Sequence, residues 1–85
     1  MTVNDIYEAM KARGLVHSHR EFSRQFLGRA SNYAADTGLD RCSVRALLGL
    51  YARLGEIKES NLQAAAFECL LAAEAQDGHA TEVQV

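Results

Sequence analysis

The amino-acid sequence predicts an all-α fold, a compact bundle of about five helices that ends in a long C-terminal helix. Three observations predict it. The 85 residues include no proline, the abundant residues Ala, Leu, Arg and Glu all suit helices, and runs of β-branched residues that would build strands are absent. A chain of this length has room for one hydrophobic core. We therefore expect a single helical domain over residues 1–77 and a flexible tail over 78–85.

The first two helices are predicted from apolar spacing and from residues that stop or cap helices. The first runs over about 3–13, and Gly14 ends it. The second begins at Ser18, where the string SHRE predicts a capping box between Ser18 and Glu21, and Gly28 ends it. The residues expected to face inward are Val3, Ile6, Tyr7, Met10, Phe22, Phe26 and Leu27.

The third helix is predicted to be short, over about 31–37, with Tyr33 and Ala34 inward. Asp40 is a good N-cap for a fourth helix, which we expect to end near Leu54 because Gly55 follows. Its apolar stripe is predicted to contain Val44, Leu47, Leu48, Tyr51 and Leu54, with Leu50 beside them.

The fifth helix is predicted from about Ile57 or Ser60 to about Gln76, with a second capping box in the string SNLQ. Its apolar residues form two neighbouring faces: Leu62, Ala66, Cys69, Leu70 and Ala73 on one, Phe67, Leu71 and Ala75 on the other. This stripe is wider than packing on one side requires. We therefore predict a homodimer through this helix, with Leu62, Phe67, Leu70 and Leu71 in the interface.

Charge is distributed unevenly along the chain. The segment from Lys11 to Arg53 holds eight basic and three acidic residues, a net charge of +5. The remaining residues carry a net charge of −7, which leaves −2 for the whole chain. A basic centre between acidic ends suits a surface that faces a polyanion. The alternative is that the two parts neutralise each other within the fold.

The string LGRASNYAADTG resembles the turn and recognition helix of bacterial repressor-type helix-turn-helix domains, and the resemblance covers Ser18 to about Leu54. Leu27 and Gly28 match the leucine–glycine pair that ends the first helix of that unit, and Tyr33 and Gly38 match its aromatic and terminating positions. The longer string FSRQFLGRASNY also resembles a group of small uncharacterised bacterial proteins, through Phe22, Ser23, Phe26, Leu27, Gly28, Arg29 and Tyr33.

The repressor pattern is not matched at every position of the unit. Arg24 stands where a small residue is usual, with Ser23 one step before it. Arg29 stands where an aliphatic residue is usual, and Ala30 stands at the capping position. These differences predict a turn that is one residue wider, or a different angle between the helices.

The resemblance implies a small DNA-binding protein, a transcriptional regulator that acts as a homodimer. The third helix would enter the major groove, with Asn32 and Ser31 at base edges. The arginines would contact the DNA backbone: Arg20, Arg24 and Arg29 on one side, Arg41 and Arg45 on the other. For Asn32, capping of the short helix is an equal alternative.

The alternative function is a protein–protein interaction module, an antiactivator or adaptor that uses the helical scaffold without binding DNA. The two functions predict different surfaces. DNA binding predicts that the five arginines form one basic stripe. The adaptor predicts that these arginines are scattered or paired with acids, and that an apolar patch is exposed on the fifth helix.

The remaining candidate groups predict neither a catalytic nor a metal site. His17 and His19 form an H-x-H pair without further ligands nearby, so the alternative is that both cap a turn. Cys42 and Cys69 lack metal-like spacing and are expected to be free thiols. Since no triad, carboxylate pair or phosphate loop is present, we expect no enzyme activity and no cofactor. Neither a bilayer-spanning stretch nor a signal peptide is apparent, which predicts a cytoplasmic protein.

Overall fold

The computed structural model describes the backbone of residues 1–84 and the side chains of residues 1–75. In these residues the regular elements are all helices and no strand is present, which confirms the predicted all-α class. The elements, in order, are α1 (Val3–Ala12), α2 (His19–Gln25), α3 (Tyr33–Thr37), a 3-10 turn (Leu39–Arg41), α4 (Val44–Glu56) and α5 (Ser60–Gln84).

A reciprocal capping box, which the sequence reasoning did not anticipate, holds the start of α1. The amide of Asp5 donates to Thr2 Oγ1 over 3.1 Å, and the amide of Thr2 donates to Asp5 Oδ2 over 2.9 Å. The bond that the carboxyl accepts from the Thr2 amide, aided by the Thr2 hydroxyl, holds the pKa of the Asp5 carboxyl below its ordinary value. The box therefore satisfies amides that a helix start leaves unpaired.

Half of the capping box predicted for α2 is present. The Ser18 hydroxyl accepts from the amide of Glu21 over 3.2 Å, as expected. The Glu21 carboxylate, however, accepts from the amide of His17 over 3.1 Å rather than from that of Ser18. Two side-chain bonds therefore hold the start of α2, and the one from Glu21 reaches the amide of His17, one residue before the predicted amide of Ser18.

The predicted start and end of the fourth helix were both wrong. Asp40 is not its N-cap, because residues 39–41 form the 3-10 turn. Ser43 is the N-cap, and its hydroxyl accepts from the amide of Ala46 over 3.2 Å. At the other end Gly55 lies inside the helix, and the chain turns at Lys58, which has a φ of 61°. A residue with positive φ allows the sharp reversal into α5.

The fifth helix differs from its prediction in length and in its first turn. α5 continues to Gln84, beyond the predicted end near Gln76. The predicted second capping box does not form, because Ser60 is already helical and the Gln63 side chain donates to the carbonyl of Tyr51 on α4 over 3.2 Å. The predicted flexible tail, 78–85, lies outside the residues whose side chains are described, and it stays a prediction.

The core lies where α1, α2, α4 and α5 meet. The largest side chains that are almost fully buried include Ile6, Met10, Phe22, Leu50 and Leu54. Most of the predicted inward residues are confirmed, and the buried apolar side chains as a whole are Val3, Ile6, Tyr7, Met10, Val16, Phe22, Phe26, Leu27, Ala34, Leu39, Cys42, Ala46, Leu47, Leu50, Leu54, Leu62, Ala65, Ala66 and Leu70.

Two residues of the predicted stripe on α4 are exposed. Leu48 and Tyr51 face outward, because the buried stripe of α4 is centred on Leu47, Leu50 and Leu54 with Ala46 at its edge. Residues 48 and 51 lie on the neighbouring side of the helix, since each residue advances about 100° around the axis. In the described part of the chain, no helix combines the length and the apolarity that crossing a membrane requires.

Ser23 joins α2 to α3 from a fully buried position. Its hydroxyl accepts from the amide of Ala34 over 3.0 Å, and its carbonyl accepts from the amide of Arg29 over 2.9 Å. The first bond pairs an amide at the start of α3 that has no partner within its own helix. The second fixes the connection that follows α2. This one small polar residue therefore positions the whole α2–α3 corner.

Replacing Ser23 by alanine removes the acceptor for the buried amide of Ala34. We expect Ser23→Ala to lower the free energy of unfolding by about 1–3 kcal/mol, the cost of an unpaired buried polar group. Urea denaturation followed by circular dichroism measures it. Ser60→Ala, at an exposed helical position, is the control and should change stability little. Equal stabilities for the two variants would contradict the role given to Ser23.

Candidate functional site

The α2–α3 corner has several features of the predicted helix-turn-helix unit. The two helices pack against each other, and Gly28 in the connection has a φ of 65°, a conformation that glycine adopts at little cost. α3 has five residues, however, and begins at Tyr33, two residues later than expected. The connection, residues 26–32, is longer than the 3–4-residue turn of helix-turn-helix proteins. The α2–α3 corner thus differs from a helix-turn-helix unit in its shorter second helix and its longer connection.

Three of the seven predicted DNA-binding residues line one groove beside α2. Arg20, Arg24 and Ser31 share it with Glu21 and Gln25, and its volume is about 470 Å³. Arg20 and Arg24 are exposed, and neither belongs to an ion pair within 4 Å among the described side chains. Their guanidinium groups are therefore available to an anion that enters the groove.

The exposed Asn32 side chain is bonded to a neighbouring carboxylate. Its side-chain amide donates to Asp36 Oδ2 over 2.6 Å, and it makes no cap bond to the amides of α3. This contact matches neither of the two roles expected for Asn32, which were reading a base edge and capping the short helix. A carboxylate beside a base-reading amide also repels phosphate, so the start of α3 is less suited to DNA than the sequence suggested.

Arg29 links the corner to the start of α4. Its guanidinium lies 5.8 Å from the ring centre of Tyr33, and Nη2 donates to the Ser43 hydroxyl over 3.4 Å. Tyr33 completes the link, since its hydroxyl accepts from the amide of Ser43 over 3.1 Å. The Arg29 Nε is buried and has no hydrogen-bond partner. Arg29 thus has contacts within the fold that compete with a phosphate.

The remaining two arginines lie apart from that groove. Arg41 lines a second cleft, of about 720 Å³, between the N-terminal ends of α1 and α4, the 3-10 turn and α5. The acids Asp40 and Glu68 line the same cleft. Arg45 is exposed on the first turns of α4. The structure therefore groups Arg20, Arg24 and Ser31, and it does not gather the five arginines in one groove.

The four residues predicted for the dimer interface have two different environments. Leu62 and Leu70 are buried in the core of the chain itself, so they are not available to a second chain. Phe67 and Leu71 are 45% and 52% exposed. Two residues of α4 that the sequence reasoning placed inward, Leu48 and Tyr51, are 50% and 36% exposed.

These exposed residues form one surface, which we call the α4–α5 face: Leu48, Tyr51, Phe67 and Leu71. The rings of Tyr51 and Phe67 lie 5.9 Å apart across the two packed helices. Helical spacing alone assigned Leu48 and Tyr51 to the core. However, α4 has six apolar residues, which is more than one buried stripe holds. That excess was the signal in the sequence for a second apolar surface.

The histidine pair has two separate roles in the fold. His17 Nδ1 lies 3.4 Å from Glu21 Oε1, whereas the His19 ring stacks on Tyr7 with ring centres 4.3 Å apart. Among the described residues, no three His, Cys, Asp or Glu side chains cluster as metal ligands would.

Both cysteines line the second cleft and carry free thiols. Burial, reinforced by the charge of Asp40 and by Cys69, raises the pKa of Cys42 to about 11. Burial also raises the pKa of Cys69, whose Sγ donates to the carbonyl of Met1 over 3.3 Å. Because the thiolate is the nucleophile, both cysteines are poorly reactive at neutral pH.

Comparison with protein families decides where this chain belongs. The model of DUF6626, a family of unknown function, matches residues 3–80. The chain belongs to DUF6626. The match includes the α2–α3 corner, the groove beside α2, the α4–α5 face and, apart from Met1 and Thr2, the second cleft. Comparisons with curated proteins and with solved structures find no match.

The raised pKa of Cys42 predicts how this DUF6626 protein responds to alkali. The thiol form is favoured in the folded state, so this contribution to stability is fully present below pH 9.0, the ordinary thiol value, and is lost as pH rises through about 11. We expect iodoacetamide to label Cys42 slowly at pH 8 in the folded protein and rapidly in urea. Peptide mass mapping after timed labelling measures both rates, and equal rates in the two conditions would contradict the burial of this thiol.

Proposed function

We propose that this DUF6626 protein is a protein–protein interaction module, of the adaptor or antiactivator kind, that binds its partner through the α4–α5 face. The observation that carries the proposal is the exposure of four large apolar side chains side by side on two packed helices. Single exposed apolar residues are ordinary, but a contiguous patch on a small domain is typical of an interaction surface.

The placement of the arginines supports the same proposal. Arg29 is engaged with Tyr33 and Ser43, Arg41 lines a cleft that also holds two acids, and Asn32 is bonded to Asp36. A module that reads DNA through α3 needs these groups together and free. The free thiols of Cys42 and Cys69 suit a reducing compartment, so the proposal places the module in the cytoplasm.

Photocrosslinking in cells tests the interaction surface. A benzoylphenylalanine at position 67 should yield a discrete crosslinked protein species, because the side chain at this position lies in the α4–α5 face. The same group at position 11, exposed on α1, is the matched control and should yield none. Adding Leu71→Glu should abolish the adduct at position 67, since a buried unpaired charge is costly in an interface. An absence of adducts from position 67 would contradict the proposal.

A second candidate function, DNA binding by a transcriptional regulator, is favoured by one observation. The groove beside α2 presents Arg20 and Arg24 together with the hydroxyl of Ser31. Two guanidinium groups four residues apart on one helix can contact adjacent phosphates. This candidate uses a surface other than the α4–α5 face, so the two functions are separable by mutation.

The DNA candidate predicts salt-dependent binding that requires Arg20 and Arg24. In fluorescence-anisotropy titrations with a random-sequence duplex, affinity should fall steeply between low and moderate salt. Replacing both arginines by alanine should make the logarithmic salt slope shallower by about 2, one for each lost phosphate contact. The control variant, Lys11→Ala with Arg13→Ala, removes the same charge from the end of α1 and should keep the slope. No binding by the wild-type protein at low salt would rule this function out.

A further inference from the structure

The helices α4 and α5 form a helical hairpin, and the register between them fixes which residues lie at the same level along it. The Gln63 side chain reaches the carbonyl of Tyr51, and the rings of Tyr51 and Phe67 lie 5.9 Å apart. The two helices run antiparallel, so one turn toward the start of α4 matches one turn toward the end of α5. This register places Leu48 about level with Leu71, and then Arg45 about level with Glu74.

We propose that the partner on the α4–α5 face is a second copy of this chain, and that the two hairpins form an antiparallel four-helix bundle. This inference rests on the proposed function and names its partner. The two-fold axis runs parallel to the helices, between the two faces. Each α4 then lies on α5 of the other copy, and residues at the same level meet: Tyr51 with the partner's Phe67, Leu48 with the partner's Leu71, Arg45 with the partner's Glu74.

Charge complementarity selects this axis. The described part of α5, residues 60–75, has two acidic residues, Glu68 and Glu74, and no basic one. Arg45 and Glu74 are both exposed, and neither belongs to an ion pair within 4 Å among the described side chains. A two-fold axis perpendicular to the helices instead sets α5 on α5 and brings these acids toward each other. The parallel axis instead sets each Arg45 opposite the partner's Glu74, a residue of opposite charge.

The size of the face predicts a dissociable dimer. α4 has 13 residues and is therefore about 20 Å long. Two helices side by side give a face of similar width. A surface of this extent falls at the low end of specific protein interfaces, so the dimer should dissociate at micromolar concentrations. Its centre is aromatic and aliphatic and its end is charged, which is the usual anatomy of an interface.

Sedimentation equilibrium of the full chain, with two charge reversals, tests the geometry. Arg45→Glu and Glu74→Arg should each raise the dissociation constant about tenfold, because each puts like charges opposite each other twice in the dimer. An equimolar mixture of the two variants should restore the wild-type constant. In the mixed dimer the carboxylate at position 45 meets a guanidinium at position 74, and the unchanged pair also remains. Pairing within one chain cannot produce this restoration.

Arg20→Glu is the control, since it reverses an exposed charge in the groove beside α2, outside this face. It should leave the dissociation constant unchanged, and circular dichroism should show all variants folded. A wild-type protein that stays monomeric, or a mixture that associates no better than its components, overturns the dimer. In that case a photocrosslink from position 67 to a different protein would leave the proposed interaction module standing, and only the identity of its partner would change.

Discussion

The packing of α4 against α5 is the interaction on which the rest of this fold depends. Leu50 and Leu54 of α4 meet Leu62, Ala66 and Leu70 of α5 in a continuous apolar seam, and this pair of helices shares the largest contact in the chain. α1 packs onto the hairpin and brings Ile6 and Met10 to the core. α2 and α3 complete the domain that α1, α4 and α5 form.

This arrangement leaves the hairpin with one face in the core and one face in water. The buried face accounts for the stability of the domain, whereas the α4–α5 face has no such role within a single chain. The corner formed by α2 and α3 has its own surface, with Arg20 and Arg24 in a groove. The protein therefore carries two separate candidate surfaces, one apolar and one basic, held on a shared scaffold. The apolar one carries the proposed function, because its residues are contiguous and the basic ones are divided.

Much of the fold followed from the sequence, because helical spacing and capping are local. Ser18 is the N-cap of α2, and Gly14 and Gly38 have positive φ values at the ends of α1 and α3, as expected. The prediction that Gly28 ends α2 was wrong, because α2 already ends at Gln25 and Gly28 lies in the connection that follows. The start of α4 did not follow, since Asp40 and Ser43 are equally good caps locally. In the structure Leu39 and Cys42 are buried on either side of residues 40 and 41, and α4 begins only after Ser43. Gly55 likewise lies inside a helix whose packing outweighs its low helix propensity.

The candidate site was less predictable, because it depends on how separate elements meet. The charge count identified a basic segment, but only the tertiary arrangement sends Arg29 to Tyr33 and Ser43 and Arg41 to the second cleft. Periodicity marked Leu48 and Tyr51 as apolar face residues without saying which face. On α5 the excess width of the stripe did point to an exposed surface, and Phe67 and Leu71 are indeed exposed. The proximity of Tyr51 and Phe67 could not be predicted, because it depends on the register between α4 and α5.

The shortness of α3 has a consequence for how the domain moves. Five residues are too few to form a stable helix by themselves. α3 is tethered by a hydroxyl of Ser23 at its start and by the Tyr33 hydroxyl to the start of α4. Breaking these tethers leaves the seam between α4 and α5 intact. We therefore expect the amides of α3 to form a separate cooperative unit, which exchanges its hydrogens with solvent while the rest of the molecule remains native.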